Sequence, residues 1–284
     1  MLLNHSSSMN ILKTGKNFPM TMTVSSGKGG VGKTLSVVNL AYFIQKIGYR
    51  VLIIDGDLGM ANVDVVLGLR PRYNMRDVLD GNATWSEIML EGPEGIKILP
   101  SGSGISKLQD FSYVEKQSLL SHIEDLKQSF DFYLIDTGAG IGSHVIHFNK
   151  LSQRRLVVTT PEPHAITDAY ALIKVLNQNG IQSCDLIVNM VHKESQGDLV
   201  AQRIINAANS FMKIDIRYLG SIPVDPSLAR HVMRRDVCSE ECSKTVSAQS
   251  WAKVARKILN DSETRKPSRE VSKMNFFSHY LNGI

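Results

Sequence analysis

Met22-Thr23-Val24-Ser25-Ser26-Gly27-Lys28-Gly29-Gly30-Val31-Gly32-Lys33-Thr34 decides the architecture of this chain. Met22 to Ser25 reads as a short buried strand, and Thr34 to Ile47 begins an amphipathic stretch of helix length. Between them, Gly27, four residues, Gly32, Lys33 and Thr34 satisfy the phosphate-loop pattern of Gly, four residues, Gly, Lys, Ser or Thr. Glycines at Gly27, Gly29, Gly30 and Gly32 let main-chain amides, that of Val31 included, converge on phosphate oxygens. The helix starting at Thr34 offers its positive dipole end, Lys33 neutralises the β and γ phosphates, and the Thr34 hydroxyl is a ligand for Mg²⁺. The implied ligand is a nucleoside triphosphate.

Outward from this loop, short apolar runs alternate with longer amphipathic ones. Val51 to Ile54, Ile96 to Leu99, Phe132 to Ile135, Leu156 to Thr159, Leu186 to Val188 and Tyr218 to Ile222 read as buried strands. Tyr113 to Phe130, Asp168 to Asn177 and Asp198 to Phe211 read as helices, with Gly48 and Gly180 as stops. Such alternation predicts an α/β fold: a doubly wound, mostly parallel sheet with helices on both faces, here a P-loop NTPase. Residues 1–20 read as a flexible arm, 21–260 as one ATPase domain and 261–270 as a polar linker. In 271–284 apolar residues recur every three or four positions, which predicts a terminal amphipathic helix.

Composition bounds the rest. Of the 284 residues, 43% are hydrophobic and 21% charged, the balance of a compact globular chain. No window reaches the roughly 18 apolar residues of a membrane span, and the first 20 residues lack the apolar core of a secretory signal. Three cysteines, Cys184, Cys238 and Cys242, suit a reducing compartment, so the expected location is cytoplasmic. Their spacing offers neither a zinc site nor an iron–sulfur ligand set. A net charge of +5 is too mild to identify a nucleic-acid or membrane partner by itself.

Two acidic segments complete the site. Val51 to Ile54 leads into Asp55, Gly56 and Asp57, and Phe132 to Ile135 leads into Asp136, Thr137 and Gly138. Both place carboxylates at the C-terminal ends of strands, where doubly wound sheets hold their ligands.

Lys28, directly after the first glycine, resembles the signature lysine of the deviant Walker A ATPases, the MinD/ParA family. That resemblance implies an ATP-dependent homodimer in which Lys28 reaches the partner's phosphates as a trans cation. It implies that Asp57 orients the attacking water, that Asp55 supports the magnesium shell or the loop, and that Asp136 holds a water of the Mg²⁺ shell. Asn189, Pro223 and Asp225 would adjoin the base. The string Asp57 to Leu69, the string Asp136 to Gly142 and the string Ile166 to Lys174 are similar to the flagellar number regulators FlhG and FleN.

This branch implies an ATPase regulating flagellar number and placement, cycling between an ADP-bound or empty monomer and a dimer on the inner face of the cell membrane. Met274, Phe276, Phe277, Leu281 and Ile284 would enter anionic lipid. An FlhF-like GTPase would accelerate hydrolysis, and flagellar switch or C-ring proteins, with a flagellar transcription activator in some members, would be partners. No sequence-specific nucleic acid is expected. Two other readings stay open: a ParA-like ATPase partitioning DNA or cargo, and an ATP-dependent enzyme on a small substrate.

Overall fold

The computed structural model describes residues 19–57, 63–73, 77–78, 80–100 and 129–264. Its strands are β1 (Met20–Ser26), β2 (Val51–Gly56), β3 (Leu90–Glu91), β4 (Lys97–Leu99), β5 (Phe132–Ala139), β6 (Arg154–Thr159), β7 (Ser183–Val191) and β8 (Asp215–Pro223). They form one sheet in the order β3-β4-β2-β5-β1-β6-β7-β8, and every neighbouring pair is parallel except β3 with β4. The doubly wound expectation holds.

Alternation along the strands assigns the two faces. Met22, Val24, Ile53, Leu134, Leu156, Val158, Ile187 and Leu219 point to one side, where they pack with α1 (Lys33–Lys46) and α9 (Val246–Thr264). Val157, Leu186, Val188 and Ile216 point to the other, packing with α4 (Ser143–Leu151), α5 (Pro163–Gln178) and α6 (Glu194–Phe211). Both cores are dry and apolar, so the sheet is fixed from two sides. Short α2 (Val63–Leu67), α3 (Trp85–Ile88), α7 (Pro226–Arg234) and α8 (Glu240–Ser243) complete the chain order.

Several expected bounds shift. β5 continues past Ile135 because Asp136 still pairs with Val24 on one side and Asp55 on the other, so ladder hydrogen bonds, not apolarity, set its end. Gly48 and Gly180 do follow their helices with positive φ of 111° and 86°. The last helix reaches Thr264, so the first positions of the expected linker are helical. Residues 113–128 of one expected helix, most of the arm, and the terminal helix with Met274, Phe276, Phe277, Leu281 and Ile284 lie outside the described residues.

α9 lies antiparallel to β8. At its start Ser247 donates from N and Oγ to Asp225 Oδ2, at 3.0 and 2.9 Å, just beyond the C-terminal end of β8. At its finish Asp261 pairs with Arg217, near the N-terminal end of β8. There Asp185 joins Arg154 (2.5 Å) and Arg217 (2.7 Å), and Arg154 also donates to Ile258 O at 2.8 Å, tying α9 to β6.

Candidate nucleotide site

β5 lies between β2 and β1, so three adjacent strands deliver the phosphate loop and both acidic segments to one edge. Register does the rest: Asp136 stands level with Asp55 on β2 and Val24 on β1. A buried polar cluster locks β1 to β5 and α4 beneath the loop. Thr23 Oγ1 donates to Asn149 Oδ1 at 3.0 Å, Asn149 Nδ2 donates to Ser25 Oγ at 2.8 Å, and Thr137 Oγ1 donates to Ser25 Oγ at 3.1 Å. Apart from Thr137, no sequence motif marks these residues; their partners are more than a hundred positions away.

The loop turns through Gly30 and Gly32, at φ of 78° and 85°, where a side chain is strained. Gly27 is required by contact instead, since a Cβ there would lie 2.1 Å from the Asp168 carbonyl of α5. Gly32 is the N-cap of α1, and no acidic residue occupies the helix's first turn, which leaves its positive end to a ligand.

Lys33, Thr34 and Asp136 converge as expected. Thr34 Oγ1 donates to Asp136 Oδ2 at 2.6 Å, while Lys33 Nζ lies 3.6 Å from Asp136 Oδ1. The carboxylate is completely buried, and its Oδ1 has no hydrogen-bond donor. Burial pushes the Asp136 carboxyl above its ordinary range against the pull of Lys33 and Thr34, and Asp57 adds to the upward shift. A buried carboxylate with an open lone pair beside a loop hydroxyl fits a hydrated divalent cation. Thr34 and Asp136 would hold Mg²⁺, which would supply charge neutralisation at the phosphates.

Asp55 is given to the loop. Its Oδ1 accepts from Asp57 N at 3.1 Å and its Oδ2 from Val63 N at 3.3 Å, so it ties the end of β2 to the start of α2. Asp57 follows β2 and faces the other acidic strand: a Cβ on Gly138 would lie 3.6 Å from Asp57 Oδ1.

Asn189 sits under the phosphate loop, donating from Nδ2 to Val31 O at 2.8 Å and accepting at Oδ1 from Met190 N at 2.9 Å. The carboxamide thereby braces the loop. Pro223 ends β8. The Asp225 side chain caps α7, accepting from Ser227 N at 2.9 Å and Leu228 N at 3.4 Å as well as from Ser247. Burial opposes its charge, but those donors hold its carboxyl below the usual range. Asp225 therefore shapes the loop after β8 through the cap.

Lys28 is placed at the open mouth of the site, and its Nζ lies 2.6 Å from Glu162 Oε2 at the N-cap of α5. Sequence reasoning missed Glu162, which sits between Pro161 and Pro163 and belongs to no pattern.

The ParA family model, described as NUBPL iron-transfer P-loop NTPase, matches residues 17–259. Antiactivator FleN of Pseudomonas aeruginosa is 36% identical over 84% of this chain and 85% of its own. Flagellum site-determining protein YlxH of Helicobacter pylori is 36% identical over 86% and 83%. Among solved structures, the septum site-determining protein MinD with Mg-ADP from Pyrococcus horikoshii aligns at a TM-score of 0.66 and 25% identity, covering 88% of this chain and 100% of that one. Iron transfer finds no support in the thiols: Cys184, Cys238 and Cys242 are all buried, and burial pushes Cys184 up to about 12 and Cys242 to about 11, away from the thiolate a metal needs. With its complete phosphate loop, paired acidic strands and signature lysine, the chain belongs to the ParA/MinD family of P-loop ATPases.

Proposed function

We propose that this ATPase regulates flagellar number and placement by cycling between a monomer and an ATP-bound dimer on the inner face of the cell membrane. One observation carries the reading: Lys28 stands at the mouth of a complete nucleotide site with its side chain 38% exposed, held only by a surface ion pair with Glu162 that it can exchange for a facing subunit. One relative at 36% identity is named as a flagellum site-determining protein, and another is the antiactivator FleN.

In this reading two subunits close face to face over ATP, and Lys28 of each approaches the phosphates held by the other. Lys33 and the loop amides bear the phosphate charge; phosphoryl transfer is governed by positioning and charge, so no base of raised pKa is required. Asp57 orients the attacking water. Asn189 and the loop from Pro223 to Asp225 adjoin the base. Residues 271–284 attach the dimer to anionic lipid, and an FlhF-like GTPase shortens its lifetime by speeding hydrolysis. Flagellar switch or C-ring proteins and a flagellar transcription activator are the downstream partners.

The test is sedimentation with anionic liposomes in ATP and in ADP, comparing the full chain with one ending at Thr264. That end point matters, because Asp261 is ion-paired into the domain and an earlier cut would damage it. Pelleting in ATP alone, lost on truncation, supports the cycle. Pelleting indifferent to nucleotide, or unchanged in the shorter chain, overturns it.

A further inference from the structure

α7 is amphipathic, yet none of its residues is buried. Leu228 and Val232 lean on the core, while Pro226, Ala229, Arg230, Met233 and Arg234 recur every three or four residues on the outer face. Met233 is 83% exposed, a large apolar side chain on the same outer face as Arg230 and Arg234. The helix ends on Arg235, whose φ of 59° turns its side chain over Gly68; a Cβ at Gly68 would meet Arg235 Cδ at 2.8 Å. That contact joins α7 to the segment after α2, where Arg70 is also exposed.

The nearby acids are already engaged. Asp236 Oδ1 lies 3.0 Å from His231 Nδ1, Asp225 is held by the amides it caps, and Glu240 pairs with Lys244 at 3.1 Å. Arg230 reaches a serine hydroxyl, Ser227 Oγ, at 3.2 Å. Among the described residues no carboxylate forms an ion pair with Arg70, Arg230, Arg234 or Arg235.

We propose that the outer face of α7 is the docking surface for an acidic segment of a partner protein, an amphipathic helix whose carboxylates meet Arg230, Arg234 and Arg235 and whose apolar side chain covers Met233. Planar guanidinium forks match carboxylates bidentately, and a methionine anchor adapts to the shape presented. Lipid is the poorer occupant. α7 starts at the end of β8 that faces the nucleotide, whereas α9 delivers residue 264 towards the opposite edge of the sheet, where Asp261 meets Arg217. Preferring protein over lipid rests on the membrane reading above; the patch does not. An occupant here would lie beside the loop from Pro223 to Asp225 and, through Arg235 and Gly68, against α2, whose first amide is held by Asp55.

The peptide assay uses the full chain in Mg-ADP without vesicles, so that a failure leaves the functional reading standing; vesicle sedimentation and sedimentation velocity of the same variants in Mg-ATP are read separately. The probe is a fluorescein-labelled helical peptide with glutamates flanking a leucine stripe, read by anisotropy across a salt series. Binding should weaken steadily with salt and fall about tenfold in Arg230→Glu/Arg234→Glu. Met233→Ser should weaken it several-fold, as should replacing the probe's leucines by serine. Nucleotide affinity of each variant reports that the fold survives. Peptide binding indifferent to charge reversal overturns the proposal. So does loss of anionic-vesicle binding with peptide binding intact, which makes the patch a lipid contact, and so does loss of self-association alone, which makes it an interface between copies.

Discussion

Lys28 Nζ lies 2.6 Å from Glu162 Oε2 of its own subunit. The lysine assigned to a partner's phosphates is thus engaged at home, by a residue that opens α5 beside the phosphate loop. Both side chains are open to water, and an ion pair so exposed forms and breaks at little cost. Closing a dimer would exchange a carboxylate for phosphates.

Glu162→Gln should therefore release Lys28 and shift the monomer–dimer equilibrium in Mg-ATP towards the dimer, by about fivefold at most for a pair of this exposure. Sedimentation velocity over a concentration series measures it. A dimer weakened by the substitution would show instead that Glu162 belongs to the interface.

Asp136→Asn should separate folding from ligand binding. Burial raises the Asp136 carboxyl above 3.8, so the folded state keeps a proton that the unfolded chain releases. The stability tied to this group is full in acid and is lost as pH rises from 3.8 towards the raised value. Without nucleotide, the asparagine variant should melt higher at pH 7 and vary less with pH across that window. Mg-ATP affinity should fall about 10- to 100-fold by calorimetry.

Gly32→Ala should be costly twice over. A residue with a side chain at φ 85° loses about 1–2 kcal/mol, and its Cβ would stand 2.3 Å from Asn189 Nδ2. ATP binding should vanish with the loop's brace. Adding Asn189→Ala removes the clash but not the strain, so the double variant should be more stable than the sum of the single losses, a coupling that urea denaturation resolves.

How much of this was legible beforehand depends on where the information lies. The phosphate loop and the strand centres were readable because runs such as Val51 to Ile54 declare burial locally. Strand ends such as Asp136 to Ala139 and Arg154 to Arg155 were not, since polar residues stay in the ladder when their neighbours hold them there. β3 is two residues long and carries no period at all. One missed element had a signature: Thr84 and Glu87 form a capping box, and that spacing alone could have announced α3. Within the site, Asp136, Lys33 and Thr34 met as their motif required. Glu162 and the Thr23, Ser25, Asn149 cluster were invisible because their roles exist only across long chain separations. For Asn189 the structure shows a brace on Val31, which no linear pattern encodes.

Asp185→Ala should destabilise the far edge of the sheet. It would leave Arg154 and Arg217 with only Asp261 where both are largely enclosed, a change worth about 1–3 kcal/mol. The urea midpoint should drop while Mg-ATP affinity of the folded fraction stays unchanged, because the site lies at the other ends of these strands.

That remoteness constrains how any message could leave the nucleotide. α9 spans β8 from Asp225 to Asp261, and nine strand residues cover about 30 Å. A lost phosphate cannot be felt by touch at Thr264, the end of α9. In the proposed dimer, what changes there is number: one copy of residues 265–284 on a single subunit, two on a pair. Two weak tethers on one body hold about 10² to 10⁴ times better than one. Under the proposed cycle, attachment becomes a count of subunits, and the clock that sets that count ticks at the opposite edge of the sheet.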